Sequence, residues 1–252
     1  MSAHSIDEVI VRLDEVIARA RRERSRLGFF ATLYRNVTIK VKEGIRDGFF
    51  EDGPRMERLD VTFASRYLDA LEAHRRGEPA SACWKVSFEA AEAWRPIILQ
   101  HLLLGMNAHI NFDLGISAAQ VCPGEQLPAL RDDFDRINGV LAGMLAKVQN
   151  DVEQLSPWIK FLDSISDDKV EDAVINWSLT KARDCAWSVA TRLAASNPEQ
   201  SAGYLARLDR DVALLGGLVR RPVGVFVKLG LLVIRLRESN DVPHAIDVLS
   251  QT

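Results

Sequence analysis

The sequence predicts an all-α fold: a single helical bundle of about nine helices around a buried central helix at about residues 97–119. Apolar residues recur at three- and four-residue spacing, the period of one helix face. No two neighbouring segments show the alternation of a strand pair. There is also no fixed-period repeat, low-complexity tract or change in composition that would mark a linker. We therefore expect one domain over residues 1–252.

The four helices before the central helix are bounded by caps and turn residues. Ser5 and Glu8 have the spacing of a capping box, in front of an amphipathic helix that ends in an arginine cluster. Residues 27–46 favour a second helix, with some strand propensity near its middle. Third and fourth helices are expected at residues 55–76 and 80–94, separated by Gly and Pro.

Later helices are expected at residues 127–155, 170–195 and 198–215, the last broken by Gly216 and Gly217. The apolar segment 222–234 predicts a buried C-terminal helix, with a basic helix resting on a membrane or a partner as the alternative. A short tail would complete the chain, and residues 198–251 would pack on the preceding bundle.

Composition excludes several classes of protein. The chain has 252 residues, 47% hydrophobic and 27% charged, with a net charge of −3, as in ordinary globular proteins. Without a strong basic excess, nucleic-acid binding is not expected. The most apolar segment is too short and too interrupted to span a membrane, and the N-terminus lacks a signal-peptide pattern. Three widely spaced cysteines fit a reducing compartment and no zinc pattern, so we expect a cytoplasmic protein.

The central helix carries the densest set of polar residues in an apolar context. A helix that is apolar nearly all round is buried, and each buried polar group without a partner costs about 1–3 kcal/mol. On a helical projection four residues fall within an arc of about 120°, and two asparagines form a pair on the opposite flank. These six residues are His101, Gly105, His109, Asp113, Asn107 and Asn111.

His109 and Asp113 are one turn apart, so their side chains can meet. Such a pair suits a general base with its orienting carboxylate, or a divalent metal held by His109 with Asp113 as co-ligand. His101 is about 12 Å away along the axis, too far to share a metal with His109. It would contact the far end of a pocket or bond to a neighbouring helix. Gly105 between the two histidines would let a ligand or another backbone approach.

Other polar residues would complete this pocket. Asn107 and Asn111 would hold a substrate or the helix itself. Asp60, Arg66 and Asp135 would contribute from neighbouring helices, and Arg66 has Asp69 or Asp113 as candidate ion-pair partners. A polar network that only fixes the packing of the core is the structural alternative for the whole set.

Common catalytic motifs are absent from the sequence. It lacks the phosphate loop, the dinucleotide fingerprint, the nucleophile elbow, the zinc-protease helix and the di-iron helix pair. ATPases, dehydrogenases, serine hydrolases, common zinc proteases and ferritin-like oxidases are therefore disfavoured.

Several segments carry a resemblance to a known family. The longest is Asn107-Ala108-His109-Ile110-Asn111-Phe112-Asp113-Leu114, supported by segments near Gly48, Arg55, Asp133 and Ala182. The chain resembles a bacterial family of unknown function with an N-A-H-I-N-x-D-L core motif, over about residues 25–195. The resemblance implies no activity.

A weaker likeness is to the zinc-dependent phospholipase C and P1-nuclease family, which has an H-x-x-x-D-x-H helix. Here Gly105 stands where that helix needs an acid, and the further histidines of a trinuclear site are missing.

Three hypotheses for function remain open. The first is an enzyme using acid–base or single-metal chemistry, hydrolysis or proton transfer, on a small, partly apolar molecule. The second is a non-catalytic pocket for a small molecule or a partner helix. The third is a structural or regulatory protein with a polar core network. For a haem ligated by His101 or His109, the sequence offers no support beyond one histidine ligand. The sequence leaves the oligomeric state open.

Overall fold

A computed structural model describes residues 3–156 and 179–251 of the chain. Those residues form eleven α-helices, a π-helical segment and a 3₁₀ segment, with no strand among them. The helices are α1 Ile6–Glu23, α2 Leu27–Arg46, α3 Gly53–Arg75, α4 Ala82–Glu92, α5 Ile98–Ala108, α6 Gly115–Val121, α7 Arg131–Leu155, α8 Leu179–Ala194, α9 Pro198–Arg220, α10 Val225–Arg237 and α11 Val242–Leu249. The all-α prediction is confirmed, while the helix count of about nine was too low.

Two features raise the count. The π-helical segment His109–Leu114 divides the predicted central helix into α5 and α6, and the predicted tail contains α11. The helix predicted at residues 170–195 is described only from Leu179 onward, and its first part lies outside the described residues.

Helix ends follow local capping chemistry. The Ser5 hydroxyl accepts a hydrogen bond from the Glu8 amide, as the capping-box prediction requires. The return bond differs, because the Glu8 carboxylate accepts from the His4 amide rather than from Ser5. Asp52 caps α3 by accepting from the Arg55 amide at 2.8 Å.

Gly216 does not end a helix, contrary to the prediction, because α9 continues to Arg220. A methyl group added at Gly216 would lie 3.2 Å from Nδ2 of Asn107 and 3.3 Å from Cγ1 of Val86. The glycine therefore allows close packing of α9 against α4 and α5.

The central helix lies between the other elements. α5 packs against α2, α4 and α9, while the π-helical segment and α6 contact α3 and α8. Aromatic side chains from α2, α3 and α4 fill the space around it, among them the fully buried Tyr67 and Trp84. The polar residues of the central helix therefore lie in the core of the bundle.

The C-terminal apolar helix is less covered than predicted. Val227, Leu231 and Ile234 of α10 pack with Ile97 in one buried cluster, but the other side of α10 is exposed. None of the described helices is long and apolar enough to cross a membrane.

Candidate functional site around His109

The site begins with an irregular turn of the central helix. Residues His109–Leu114 form a π-helical segment, in which backbone hydrogen bonds join residues five apart rather than four. The sequence predicted a regular α-helix here, because side-chain pattern gives no signal for a single π turn. Such turns are frequent at functional sites. Gly115 follows directly, and a methyl group there would lie 2.4 Å from the carbonyl oxygen of Ala186, so α8 can pack against this turn only at a glycine.

The His109 side chain lies inside a cage of five aromatic rings, which we call the aromatic cage: Phe30, Tyr34, Phe63, Tyr67 and Trp84. Phe63 stacks on the imidazole with ring centroids 3.5 Å apart and planes 7° apart. Tyr34 meets it edge-on at 4.3 Å, and the other three rings lie within about 6 Å. Four of the rings are buried, while Phe63 is half-buried and so separates His109 from solvent.

The two ring nitrogens of His109 are unsatisfied. His109 is 3% exposed, and neither Nδ1 nor Nε2 has a hydrogen-bond partner among the described residues. Nδ1 lies 3.6 Å from Oδ2 of Asp113, which is too long for a hydrogen bond. Burial lowers the pKa of His109 below its usual value, with the neighbouring Asp113 acting in the opposite direction. The imidazole is therefore neutral at neutral pH and keeps a free lone pair.

Asp113 is held in place by two other helices. Its Oδ1 accepts a hydrogen bond from Nε of Arg66 at 2.8 Å, and its Oδ2 accepts from Nε1 of Trp84 at 2.8 Å. Of the two ion-pair partners considered for Arg66, the structure selects Asp113. The carboxylate thus joins the central helix to α3 and α4 beside His109.

Two further buried polar atoms lack a hydrogen-bond partner, and one of them belongs to a ring of the aromatic cage. Oδ2 of Asp60 and the hydroxyl of Tyr34 have no hydrogen-bond partner among the described residues. Burial, with a smaller contribution from Glu57, raises the pKa of Asp60 to about 8. Burial first and then Asp60 raise the pKa of Tyr34 well above its usual value. Asp60 is therefore a protonated acid at neutral pH, while His109 is a neutral base.

The remaining predicted site residues lie elsewhere. Nδ2 of Asn107 donates to the carbonyl of Val212 in α9 at 2.9 Å, and Nδ2 of Asn111 donates to Oδ1 of Asn107 at 3.0 Å. Asp135 pairs with Arg131 at 2.6 Å on the half-exposed side of α7, rather than facing the central helix. The structure therefore places His109, Asp113 and Arg66 together, with Asp60 close enough to Tyr34 of the aromatic cage to act on it electrostatically, while the asparagine pair and Asp135 bond elsewhere.

His101 belongs to a different part of the core. It lies edge-on to Phe29 at 5.8 Å and lines a narrow cleft with Arg26, Ser87 and three cage rings, Phe30, Tyr67 and Trp84. The free space there is about 10 Å³, enough for a single water molecule. Burial, followed by the charges of Arg26 and Arg235, lowers the pKa of His101 to about 3. The three shared rings form a wall between the cleft and His109.

A divalent metal does not fit this geometry. Within the described ranges no group of three or more His, Cys, Asp or Glu residues is arranged to hold a metal ion. His109 and Asp113 supply two donors, but both oxygens of Asp113 already accept hydrogen bonds, one from the Arg66 guanidinium. That positive charge would repel a cation at the same carboxylate.

The aromatic cage was not predicted as part of the site, although its residues carry a signal. Aromatic residues occur one turn apart on three successive helices, and such pairs share a helix face. The pairs are Phe30 and Tyr34, Phe63 and Tyr67, and Trp84 and Phe88. The pattern predicts aromatic faces but not that they meet at His109.

Comparison with known proteins gives a family and no activity. The model of a family of unknown function (DUF5995) matches residues 6–222. This range is wider than the 25–195 expected from the motif, and it contains the whole aromatic cage and its polar groups. Neither a curated protein nor a solved structure matches the chain.

Proposed function

We propose that this chain, which belongs to the family of unknown function DUF5995, is an enzyme that binds a small, partly apolar molecule in the aromatic cage and uses His109 as a general base. The observation that supports this most is the pair of unsatisfied ring nitrogens on a buried imidazole. The proposal needs no metal ion, because both oxygens of Asp113 already accept hydrogen bonds.

The unsatisfied atoms define what a ligand would supply. Each buried polar atom without a partner costs about 1–3 kcal/mol, and His109, Asp60 and Tyr34 together present four such atoms. A neutral imidazole has one donor and one acceptor nitrogen. A molecule with both a donor and an acceptor, on an otherwise apolar frame, would satisfy the imidazole and pack against the aromatic rings.

The electrostatics favour proton transfer. A base that is neutral at neutral pH can take a proton from a substrate or from water. The Asp113 carboxylate, 3.6 Å from Nδ1, would stabilise the imidazolium formed, while Arg66 and Trp84 keep that carboxylate in position. Environments that raise the pKa of an acid and lower the pKa of a base are typical of acid–base sites. Asp60, protonated at neutral pH, is then the proton donor of the pair.

Access would come through Phe63. It is the half-buried ring of the aromatic cage and covers one face of the imidazole. Turning this ring away would open His109 to a ligand without moving the three rings that face the cleft.

A polar core without catalysis is the second candidate, and the close packing of the aromatic cage on His109 favours it. Buried water commonly pairs with otherwise unsatisfied polar groups. Under this hypothesis water would satisfy His109 and Asp60, and the site would only stabilise the fold.

The test is a thermal-shift screen of small carbonyl and ester compounds with three proteins: the wild type, His109→Phe and the control His74→Phe. His74 is a partly buried histidine that packs on Phe88, outside the aromatic cage. Compounds that raise the Tm of wild type and control but not of His109→Phe support the proposal, and these compounds are then assayed for turnover.

Phe63→Ala gives an independent measurement. Removing this ring should speed the modification of His109 by diethyl pyrocarbonate, followed by peptide mass spectrometry. If no compound distinguishes the three proteins, and His109→Phe only raises the Tm, the catalytic hypothesis is wrong and the structural one stands.

A further inference from the structure

Helix α10 has apolar side chains on all sides, but the described residues cover only one of them. Val227, Leu231 and Ile234 pack against Ile97. The opposite side is exposed, with Phe226 at 74% and Leu236 at 65%. Six exposed residues recur at one-, three- and four-residue steps and so share one face of the helix. We call this the α10 face: Val225, Phe226, Leu229, Leu232, Val233 and Leu236.

The stretch of chain that carries this face has charges of one sign. No Asp or Glu occurs from Val212 to Arg237, although the chain has 35 acidic residues. The same stretch has five basic residues. Arg220 bonds to Glu89, Arg235 is buried, and Arg221 and Lys228 are exposed.

We propose that the α10 face docks on the surface of an anionic lipid bilayer. An apolar helix face flanked by basic side chains is the usual composition of a helix lying in the membrane interface. The apolar side chains would enter the boundary between headgroups and acyl chains, and Arg221 and Lys228 would contact the anionic headgroups. The helix has 13 residues, whereas a span needs about 20, so it lies along the bilayer rather than across it.

Charge disfavours a second copy of the chain as the occupant. In a two-fold symmetric dimer the same face meets itself. Lys228 and Arg221 of each copy would then approach those of the other, and no carboxylate in 212–237 could pair with them. Like charges in an interface oppose association, whereas an anionic bilayer satisfies the apolar face and the cations together.

The docking surface is separate from the His109 site. The family match ends at residue 222, so α10 lies outside it, and the α10 face contains no residue of the aromatic cage. Variants of the α10 face should therefore leave the binding and chemistry at His109 unchanged.

Vesicle flotation of the full chain tests the proposal. We expect binding to vesicles rich in phosphatidylserine that is at least about tenfold stronger than to pure phosphatidylcholine, and that weakens with added salt. Phe226→Glu should weaken this binding by at least about tenfold, since it places a charge in the apolar face. The matched control Val11→Glu, at an exposed apolar site of α1, should bind like wild type.

A charge pair of variants tests the electrostatic part. Lys228→Glu should weaken binding to anionic vesicles, while Lys85→Glu, an exposed lysine of α4, should not. Thermal unfolding checks the fold, and Leu236→Glu replaces Phe226→Glu if that variant does not fold. The proposal is overturned if wild type does not float with anionic vesicles, or if it floats equally with neutral ones. A concentration-dependent dimer that Phe226→Glu dissociates in vesicle-free buffer would also overturn it, assigning the face to a second copy.

Discussion

Replacing Asp60 with Asn should make the protein more stable at neutral and alkaline pH. Burial raises the pKa of this carboxyl from 3.8 to about 8. Between these two values the folded protein keeps the proton that the unfolded chain releases, so the stability of the wild type falls as the pH rises from about 4 to about 8. An amide does not titrate in this range, so the variant lacks this loss.

The size of the effect follows from the shift. Each pH unit between the two pKa values is worth about 1.4 kcal/mol. The variant should therefore gain on wild type by about 1.4 kcal/mol per unit between pH 5 and pH 8. At pH 7, about three units above the pKa of the unfolded chain, the gain in the free energy of unfolding reaches about 4 kcal/mol. This value is an upper limit, because the folded protein holds the carboxyl in its protonated form.

Urea unfolding at several pH values between 5 and 8 measures this difference. Taking the free energy of unfolding of the variant minus that of wild type removes the contributions of the other titrating groups. Asp135→Asn, at a half-exposed site on α7, is the control for replacing a carboxylate outside the core. A difference for Asp60→Asn that stays constant from pH 5 to 8 would refute the assignment of Asp60 as a neutral acid.

Three further changes in the core, the first with a matched glycine control on α7, test its packing and charge. Gly105→Ala would place a methyl group 2.3 Å from Cγ of Phe30. The overpacking should cost about 1–3 kcal/mol, more than the gain in helix propensity of about 1 kcal/mol. The variant should therefore have a lower Tm than wild type. Gly139→Ala on α7, where nothing lies within 4 Å, should raise it. Asp113→Asn should cost about 1–3 kcal/mol in urea unfolding, because it removes the charge partner of the part-buried Arg66 and one of the two oxygens that accept from Arg66 and Trp84. His101 has a pKa of about 3 in the folded protein and stays neutral where the unfolded chain takes up a proton. The stability of the wild type therefore falls as the pH drops from about 6.5 towards 3. His101→Leu should reduce this loss, as measured by acid unfolding curves.

Burial of the central helix was predictable, because its apolar residues cover nearly every direction around the axis. Most partners of its polar residues were not, since they come from distant parts of the chain; the exceptions are the pair of Asn107 and Asn111 and Arg66, for which Asp113 was one of two candidates. Asn107 bonds to a carbonyl in α9, and Asp113 bonds to side chains of α3 and α4. Helical spacing relates neighbours on one helix and contains no information on which other helix they face.

Asp133 shows the same limit at a helix start. An acid near the beginning of a helix predicts capping and solvation. Instead Asp133 is fully buried and accepts hydrogen bonds from the backbone amides of Glu51 and Asp52 and from Arg55. Burial alone would raise the pKa of Asp133, but these hydrogen bonds lower it. The residue therefore holds the loop before α3, a contact across the fold that its local sequence does not specify.

Hydrogen-bond partners distinguish the two histidines of the central helix from its other polar residues, since Nε2 of His101 also lacks a partner among the described residues. Asn107, Asn111 and Asp113 have partners that join α5 and the π-helical segment to α9, α3 and α4, so packing of the bundle is sufficient to explain them. His109 has none at either nitrogen within the part of the chain that the structure describes, although a non-polar ring would fill the same aromatic cage without that cost. A polar group that the fold leaves unsatisfied at a π-helical turn needs an explanation outside the fold. For this reason we centre the candidate site on His109 and assign Asp113 to positioning.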